Sequence, residues 1–273
     1  MTLTFALAFM FVASAQKASI HEIEYESFTS VKVSDDFIVR LVTDDRYKVK
    51  TMVDERLDQH VKAYVQNGTL YVTLDRKNFS SDLKKALRVK GAPAPKLEVE
   101  IAFPSVKLIE LSGNTILHRS DVLYAEEFTL NASDKARVDK IYVDCNTAEI
   151  NLAKNAYADV EAKADDMLYV VTSNSSKAVV KQTGKGVKID AAGSSSVNAI
   201  IEVDKVDVLT AGVSSATLLS GTAEDMTVSA IGSSKIDAEA VSISKAAMVQ
   251  SGTSKCYVNV TDTLKVNLTG STM

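Results

Sequence analysis

The chain has 273 residues, with 31 Lys and Arg against 35 Asp and Glu and a formal net charge of −4. Its cations are scattered rather than massed, which excludes the concentrated basic face that nucleic acid requires and the polybasic patch of a membrane-surface protein. A 46% apolar share is enough for a core, but Trp is absent and none of the eight Phe lies beyond residue 128, so the C-terminal part must fill a thin interior with Val, Ile, Leu, Ala and Met.

In chain order, "MTLTFALAFMFVASAQ" opens with an apolar run from Leu3 to Val12 followed by Ala13-Ser14-Ala15, a small-x-small cleavage signal. Residues 1–15 are therefore predicted to be a signal peptide, and the run falls short of the about 20 apolar residues of a membrane-spanning helix. No other stretch reaches that length, so the mature chain is expected to have no transmembrane segment. Residues 16–100 read as a β-rich capping region. "SVKVSDDFIVRLVTDDRYKVKTMV" alternates as two or three strands, "DERLDQH" allows one or two helical turns, and "VKAYVQNGTLYVTL" is a hairpin closed by Asn67-Gly68. A polar excursion over residues 79–96 interrupts it.

From residue 101 to 273 the same phrase recurs. Taking glycine as a phase mark, equivalent positions fall at Gly113, Ser133, Lys154, Asn174, Gly193, Gly212, Gly232, Gly252 and Gly270, spaced by 20, 21, 20, 19, 19, 20, 20 and 18 residues. Such a period marks a solenoid, in which each unit buries its apolar face only against its neighbours. Inside each unit, apolar residues alternate before the mark (Val187, Ile189, Ala191) and again after it (Val197, Ala199, Ile201). The predicted fold is all-β: a single-stranded β-helix or β-roll-like solenoid with rungs of about 20 residues. Gly113, Gly193, Gly212, Gly232, Gly252 and Gly270 supply the corners, where a positive φ is needed. Two residues further on stand Thr115, Ser176, Ser195, Ser214, Ser234, Ser254 and Thr272, expected to form a structural ladder of hydroxyls rather than a binding strip.

No residue set predicts catalysis, a metal site or a cofactor. The three histidines lack metal-ligand or triad company, so the many serines have no base. Ser81 and Lys84 fit S-x-x-K without the accompanying motifs, and "GKGVKID" lacks phosphate-loop spacing. Asp35-Asp36, Asp44-Asp45 and Asp165-Asp166 read as turns. Cys145 and Cys256 fall six rungs apart, roughly 29 Å at about 4.8 Å per strand, well beyond the about 7 Å that a disulfide bridges. Both thiols are expected to be free.

The N-terminal "FIVRLVTDDRYKVKTMVDERLDQHVKAYVQNGTLYVTL" and the recurrent corners "LSGNTI", "AAGSSSV", "AIGSSKI" and "QSGTSKC" resemble the bacterial family described as "putative auto-transporter adhesin, head GIN domain", common in Bacteroidetes. The resemblance spans about Ser30 to Met273. It implies a right-handed β-helix-like fold, an exported location and an adhesive role, and it supplies no catalytic residues. Ser133, Lys154 and Asn174 depart from the glycine pattern.

The expected function is a non-enzymatic β-solenoid at the cell surface or in the periplasm that binds a macromolecule, protein or glycan, at the envelope. One alternative is a glycan-binding or glycan-active β-helix, although Tyr169 and Tyr257 are the only aromatics after Tyr157. Another is an envelope signalling or assembly component that docks through the N-terminal region and its excursion.

Overall fold

The computed structural model describes residues 17–91 and 93–271; the predicted signal peptide, residues 1–15, and Thr272 lie outside them. The chain is a β-solenoid of about eight turns with rungs of about 20 residues. The strands are β1 (Ala18–Glu24), β2 (Ser30–Val33), β3 (Ile38–Thr43), β4 (Lys48–Asp54), β5 (Val61–Gln66), β6 (Thr69–Leu74), β7 (Leu97–Phe103), β8 (Leu108–Leu111), β9 (Ile116–Ser120) and β10 (Val122–Tyr124). They continue as β11 (Glu127–Ala132), β12 (Arg137–Leu152), β13 (Tyr157–Thr172), β14 (Lys177–Thr183), β15 (Gly186–Ala191), β16 (Ser196–Glu202), β17 (Lys205–Gly212), β18 (Ser215–Gly232), β19 (Lys235–Gly252) and β20 (Lys255–Gly270). A short helix, α1 (Ser81–Ala86), lies between β6 and β7.

Each rung contributes one strand to each of two faces. On the first face, β6, β2, β8, β11, the second half of β12, the second half of β13, β15 and β17 stack in parallel, followed by the second halves of β18, β19 and β20. On the second face, β7, β3, β9 and the first half of β12 lead into the first half of β13, β14, β16 and the first halves of β18 to β20. Alternation then decides burial. Val31, Ile109, Leu130, Ile150, Val170, Ile189, Val208 and Val228 form one inward column and are all at most 2% exposed. Each such side chain contributes about 1.5–3 kcal/mol of hydrophobic stabilisation.

The parallel stack reaches back to Ser30, and its first two rungs are out of chain order. The β2–β3 rung packs directly on β8 and β9. The later β6–β7 rung packs on the other side of β2 and β3. Between them the chain reverses through β4, antiparallel to β7, and through β5, antiparallel to β6; β1 adds to β4. These antiparallel strands cover the N-terminal end of the stack. The β5–β6 turn uses Asn67 and Gly68, with φ of 52° and 70°. The excursion is the enlarged corner of the β6–β7 rung. Its helix is capped by Ser80, whose hydroxyl accepts the Leu83 amide at 3.1 Å, and the excursion is anchored by Phe79, buried against the His60 ring with centroids 4.7 Å apart.

The regular corners share one backbone feature. Asp35, Gly113, Asp134, Lys154, Asn174, Gly193, Gly212, Gly232, Gly252 and Gly270 all have φ between 57° and 96°. The mark expected at Ser133 is therefore corrected to Asp134. The unit after Gly113 holds one residue more, because Asn131 pairs with Glu110 and Asn151 with Asn131. Glycine is needed where backbones approach most closely: a Cβ on Gly212 would lie 2.8 Å from the Gly193 carbonyl oxygen. Asp and Asn tolerate the left-handed region better than other non-glycine residues, which accounts for Asp35, Asp134 and Asn174.

The core is widest at the N-terminal end. Phe28, Phe37, Phe103 and Phe128 are its largest fully buried side chains. At the other end Leu264, Val266 and Leu268 continue the inward columns but are 47%, 48% and 52% exposed. Cys145 and Cys256 are free and buried. Burial pushes the Cys145 thiol up to about 11, with help from the charges of Asp144 and Asp165. It pushes the Cys256 thiol up to about 12, with help from Asp237.

Two carboxylates organise the N-terminal end of the stack, Asp54 in the turn after β4 and Asp35 between the β2–β3 corner and the end of β6. Arg56 donates to Asp54 from Nε at 2.9 Å and Nη2 at 2.6 Å, which outweighs burial and holds the Asp54 carboxyl below the usual carboxylate range. Burial acts to raise Asp35, but the Leu74 amide at 2.9 Å, Arg76 Nε at 2.7 Å and the Thr73 hydroxyl at 2.9 Å together lower it. Since both pKa values are depressed on folding, their stabilisation is complete above the unfolded Asp value of about 3.9 and is lost as pH falls through the folded values. Urea midpoints are expected to drop below about pH 4. Asp54→Asn should cost about 1.5–3 kcal/mol at pH 6 and make the midpoint less sensitive to acid. An unchanged acid sensitivity in that variant would assign the effect elsewhere.

Candidate binding face

The hydroxyls two residues past the corners belong to the interior. Thr115, Ser176, Ser195, Ser214, Ser234 and Ser254 are at most 1% exposed. Ser176 Oγ donates to the Ser173 carbonyl at 2.8 Å, and Ser214 Oγ donates to the Ala191 carbonyl of the preceding rung at 2.8 Å. Ser195 and Ser234 accept from the inward Thr172 and Thr210 hydroxyls at 3.0 and 2.9 Å. These groups close corners and are buried from solvent.

The outward side of the first face is different. A hollow of about 510 Å³ crosses it near the N-terminal end. Register brings one side chain from each of six adjacent strands into a row: Tyr71, Lys32, Glu110, Asn131, Asn151 and Val171. Successive members are about 4.8 Å apart, the spacing of paired strands. Lys32 Nζ lies 2.6 Å from Glu110 Oε2, and this contact raises the Lys32 ammonium above its ordinary value. Asn151 Nδ2 donates to Asn131 Oδ1 at 3.0 Å, and to Glu149 Oε1 at the same distance. Tyr71 stacks on Tyr64 with ring centroids 5.1 Å apart and planes 15° from parallel.

A second row borders the hollow: Thr73, Ser34, Ser112 and Ser133, then Ala153 and Ser173. Ser34 Oγ donates to Thr73 Oγ1 at 2.9 Å. The arrangement is a strip of amides, hydroxyls and one ion pair, with an aromatic pair at its end. It can hydrogen-bond a chain laid across the rungs. Among the described residues no group of three or more His, Cys, Asp or Glu could hold a metal ion, and Ser81 and Lys84 lie exposed on α1.

The glycine-phased repeat does not bring this row together. Tyr71 and Lys32 are neighbours only because β6 stacks beside β2, across an antiparallel detour. A signal was present: "VKVSDDFIV" repeats the pattern of "IELSGNTIL", with Asp35 in the place of Gly113. Phasing on positive-φ residue types, rather than on glycine, would have found that rung.

Two solved structures from Parabacteroides distasonis share the fold. One, described as a "Putative lipid binding protein", has a TM-score of 0.60 at 14% identity, covering 93% of this chain and 96% of the other. A second, described as a "putative adhesin", has a TM-score of 0.54 at 17% identity over 92% and 97% of the two chains. No curated protein matches the sequence. Rungs of one length, corners of one geometry and a thin aliphatic core are what a family model can detect, and the model described as "Putative auto-transporter adhesin, head GIN domain" matches residues 27–178 and 158–272. The chain belongs to that family.

Proposed function

We propose that this protein is an exported, non-enzymatic solenoid of the cell envelope, periplasmic or at the surface, and that the outward side of its first face binds a glycan chain. The observation that carries this reading is the row Tyr71–Lys32–Glu110–Asn131–Asn151–Val171 lying in a hollow of about 510 Å³. Paired amides and hydroxyls at strand spacing match the donor and acceptor density of a saccharide chain. The stacked Tyr64–Tyr71 pair offers an amphipathic platform with a polar tip. A rigid face spreads affinity over several rungs without a deep pocket. The adhesin description of the family supports a binding role.

The test is an array of neutral glycans probed with the full chain, beside Tyr71→Ala, Asn151→Ala and Asn198→Ala, the last from the second face. Binding should fall by about tenfold or more in the first two variants, equivalent to about 1.4 kcal/mol, and be unchanged in the third. Binding that ignores Tyr71 and Asn151, or that is absent across the array, would remove the glycan reading. Cell fractionation that leaves the chain in the cytoplasm would remove export.

A further inference from the structure

The second face also carries ion pairs between rungs. Along it, cations and carboxylates alternate between rungs. Lys140 lies 2.9 Å from Asp159 and 3.6 Å from Glu161, and Lys181 lies 2.9 Å from Glu161. The alternation breaks between Lys235 and Lys255, far along the stack, and near the N-terminal end at a place that also borders two hollows. Arg40 of β3 is in register with Glu100 of β7 on one side and with Arg119 of β9 on the other. Like charges in register across paired strands are destabilising.

The backbone creates this juxtaposition. The β3–β9 register slips by one residue at His118, so His118 and Arg119 both face solvent. A second irregularity in β12 between Val138 and Ile141 places Asp139 and Lys140 alongside. Such bulges re-aim side chains and cluster near functional sites. Two of the neighbouring side chains have carboxylate partners: Arg40 Nη1 lies 3.3 Å from Glu100, and His118 Nδ1 lies 2.8 Å from Asp139. Among the described residues, Arg119 has no carboxylate within ion-pair distance. Its guanidinium lies 5.8 Å from the Tyr142 ring centroid, and Lys140 Nζ lies 5.5 Å from the same ring.

Arg40 and Arg119 line two hollows, one of about 570 Å³ that also includes Tyr142 and Asp121, the other of about 390 Å³ that also includes Lys50, His118, Glu98 and Glu100. Asp121 is the carboxylate in the larger hollow, and its Oδ2 accepts the Thr43 amide at 3.1 Å.

We propose that Arg40 and Arg119 hold the phosphate of a phosphorylated sugar, with the sugar ring lying in the larger hollow beside Tyr142. Arg119 presents a planar fork that suits phosphate oxygens, and Arg40, which also contacts Glu100, stands in register beside it. Beside a phosphate on the two arginines, the hollow of about 570 Å³ leaves room for a group of sugar size. An anion between the two arginines would also relieve their repulsion. The site lies on the opposite face from the glycan row and stands or falls separately from it.

The experiment is an NMR titration of the full chain with glucose 6-phosphate, inorganic phosphate and glucose, repeated for Arg119→Gln, Arg40→Gln and Lys177→Gln. Lys177 is exposed on the same face, three strands further along. Glucose 6-phosphate should perturb Arg119 and Tyr142, bind more tightly than inorganic phosphate and weaken as salt rises from about 50 to 200 mM. Its affinity should fall by about tenfold or more in both arginine variants and stay unchanged in Lys177→Gln. Melting temperature should hold or rise in Arg119→Gln, since repulsion is removed; a purely structural arginine would lower it. Inorganic phosphate binding as tightly as glucose 6-phosphate would overturn the sugar assignment. Absence of phosphate-dependent shifts, or shifts indifferent to Arg119, would overturn the site.

Discussion

Gly221→Ala is expected to destabilise the chain by about 4 kcal/mol or more, enough to disrupt the stack where β18 pairs with β16. Gly221 has φ of 130°, and a Cβ there would sit 1.6 Å from the Ile201 carbonyl oxygen. That oxygen belongs to the adjacent β16, to which Gly221 pairs in register. The register slips just before it, leaving Leu219 outside the ladder and 46% exposed. Backbone on both sides is thus held by parallel pairing, and neither strand can shift without breaking its next rung. Gly68→Ala is the comparison. Its φ is also positive, at 70°, but nothing lies within 4 Å of the added atom, so only the conformational cost of about 1–2 kcal/mol applies. Urea unfolding of the two variants measures the difference. Equal losses would show that the solenoid absorbs the clash by local bulging.

Phe28→Ala is expected to cost about 3–5 kcal/mol, the range for emptying a buried aromatic position. Phe28 is 1% exposed and meets Tyr47 edge-on, with centroids 4.9 Å apart, and Phe103 at 6.2 Å. These contacts join residues before β2, between β3 and β4 and at the end of β7, so the cavity would loosen the cap from the first rungs. Val266→Ala probes the opposite end. At 48% exposure in the last rung, it should cost no more than about 0.5 kcal/mol. A solenoid is stabilised by nearest-neighbour interfaces, so a thermal melt of Phe28→Ala should also broaden, as the N-terminal rungs uncouple from the rest.

The contrast reflects composition that is visible without coordinates. With every Phe at or before residue 128, a wide core can exist only at the start of the stack. The later rungs pack Ala178, Ala199, Ala216 and Ala238 inward on the second face, so their stability depends on the repetition of small contacts and on backbone pairing. The reading of "GSS" as a corner likewise came from phase alone. Ser195 at 1% exposure, accepting from Thr172, is the outcome of placing a small hydroxyl where the chain turns inward.

By itself, the sequence determined the class of fold, the length of a rung and the faces on which its apolar residues lie, because a period of about 20 residues with strand alternation leaves only stacking as a way to bury them. Only the tertiary structure decided the order of the first rungs, the place of the excursion and the neighbours of each outward side chain. Parallel pairing joins strands by backbone hydrogen bonds and matching inward columns, and neither requires that neighbours in space be neighbours in sequence. Thus β6 and β7 slipped in beside β2 and β3, Asp35 took the corner that glycine fills elsewhere, and Arg40 came to face Arg119 across a bulge that no periodicity marks.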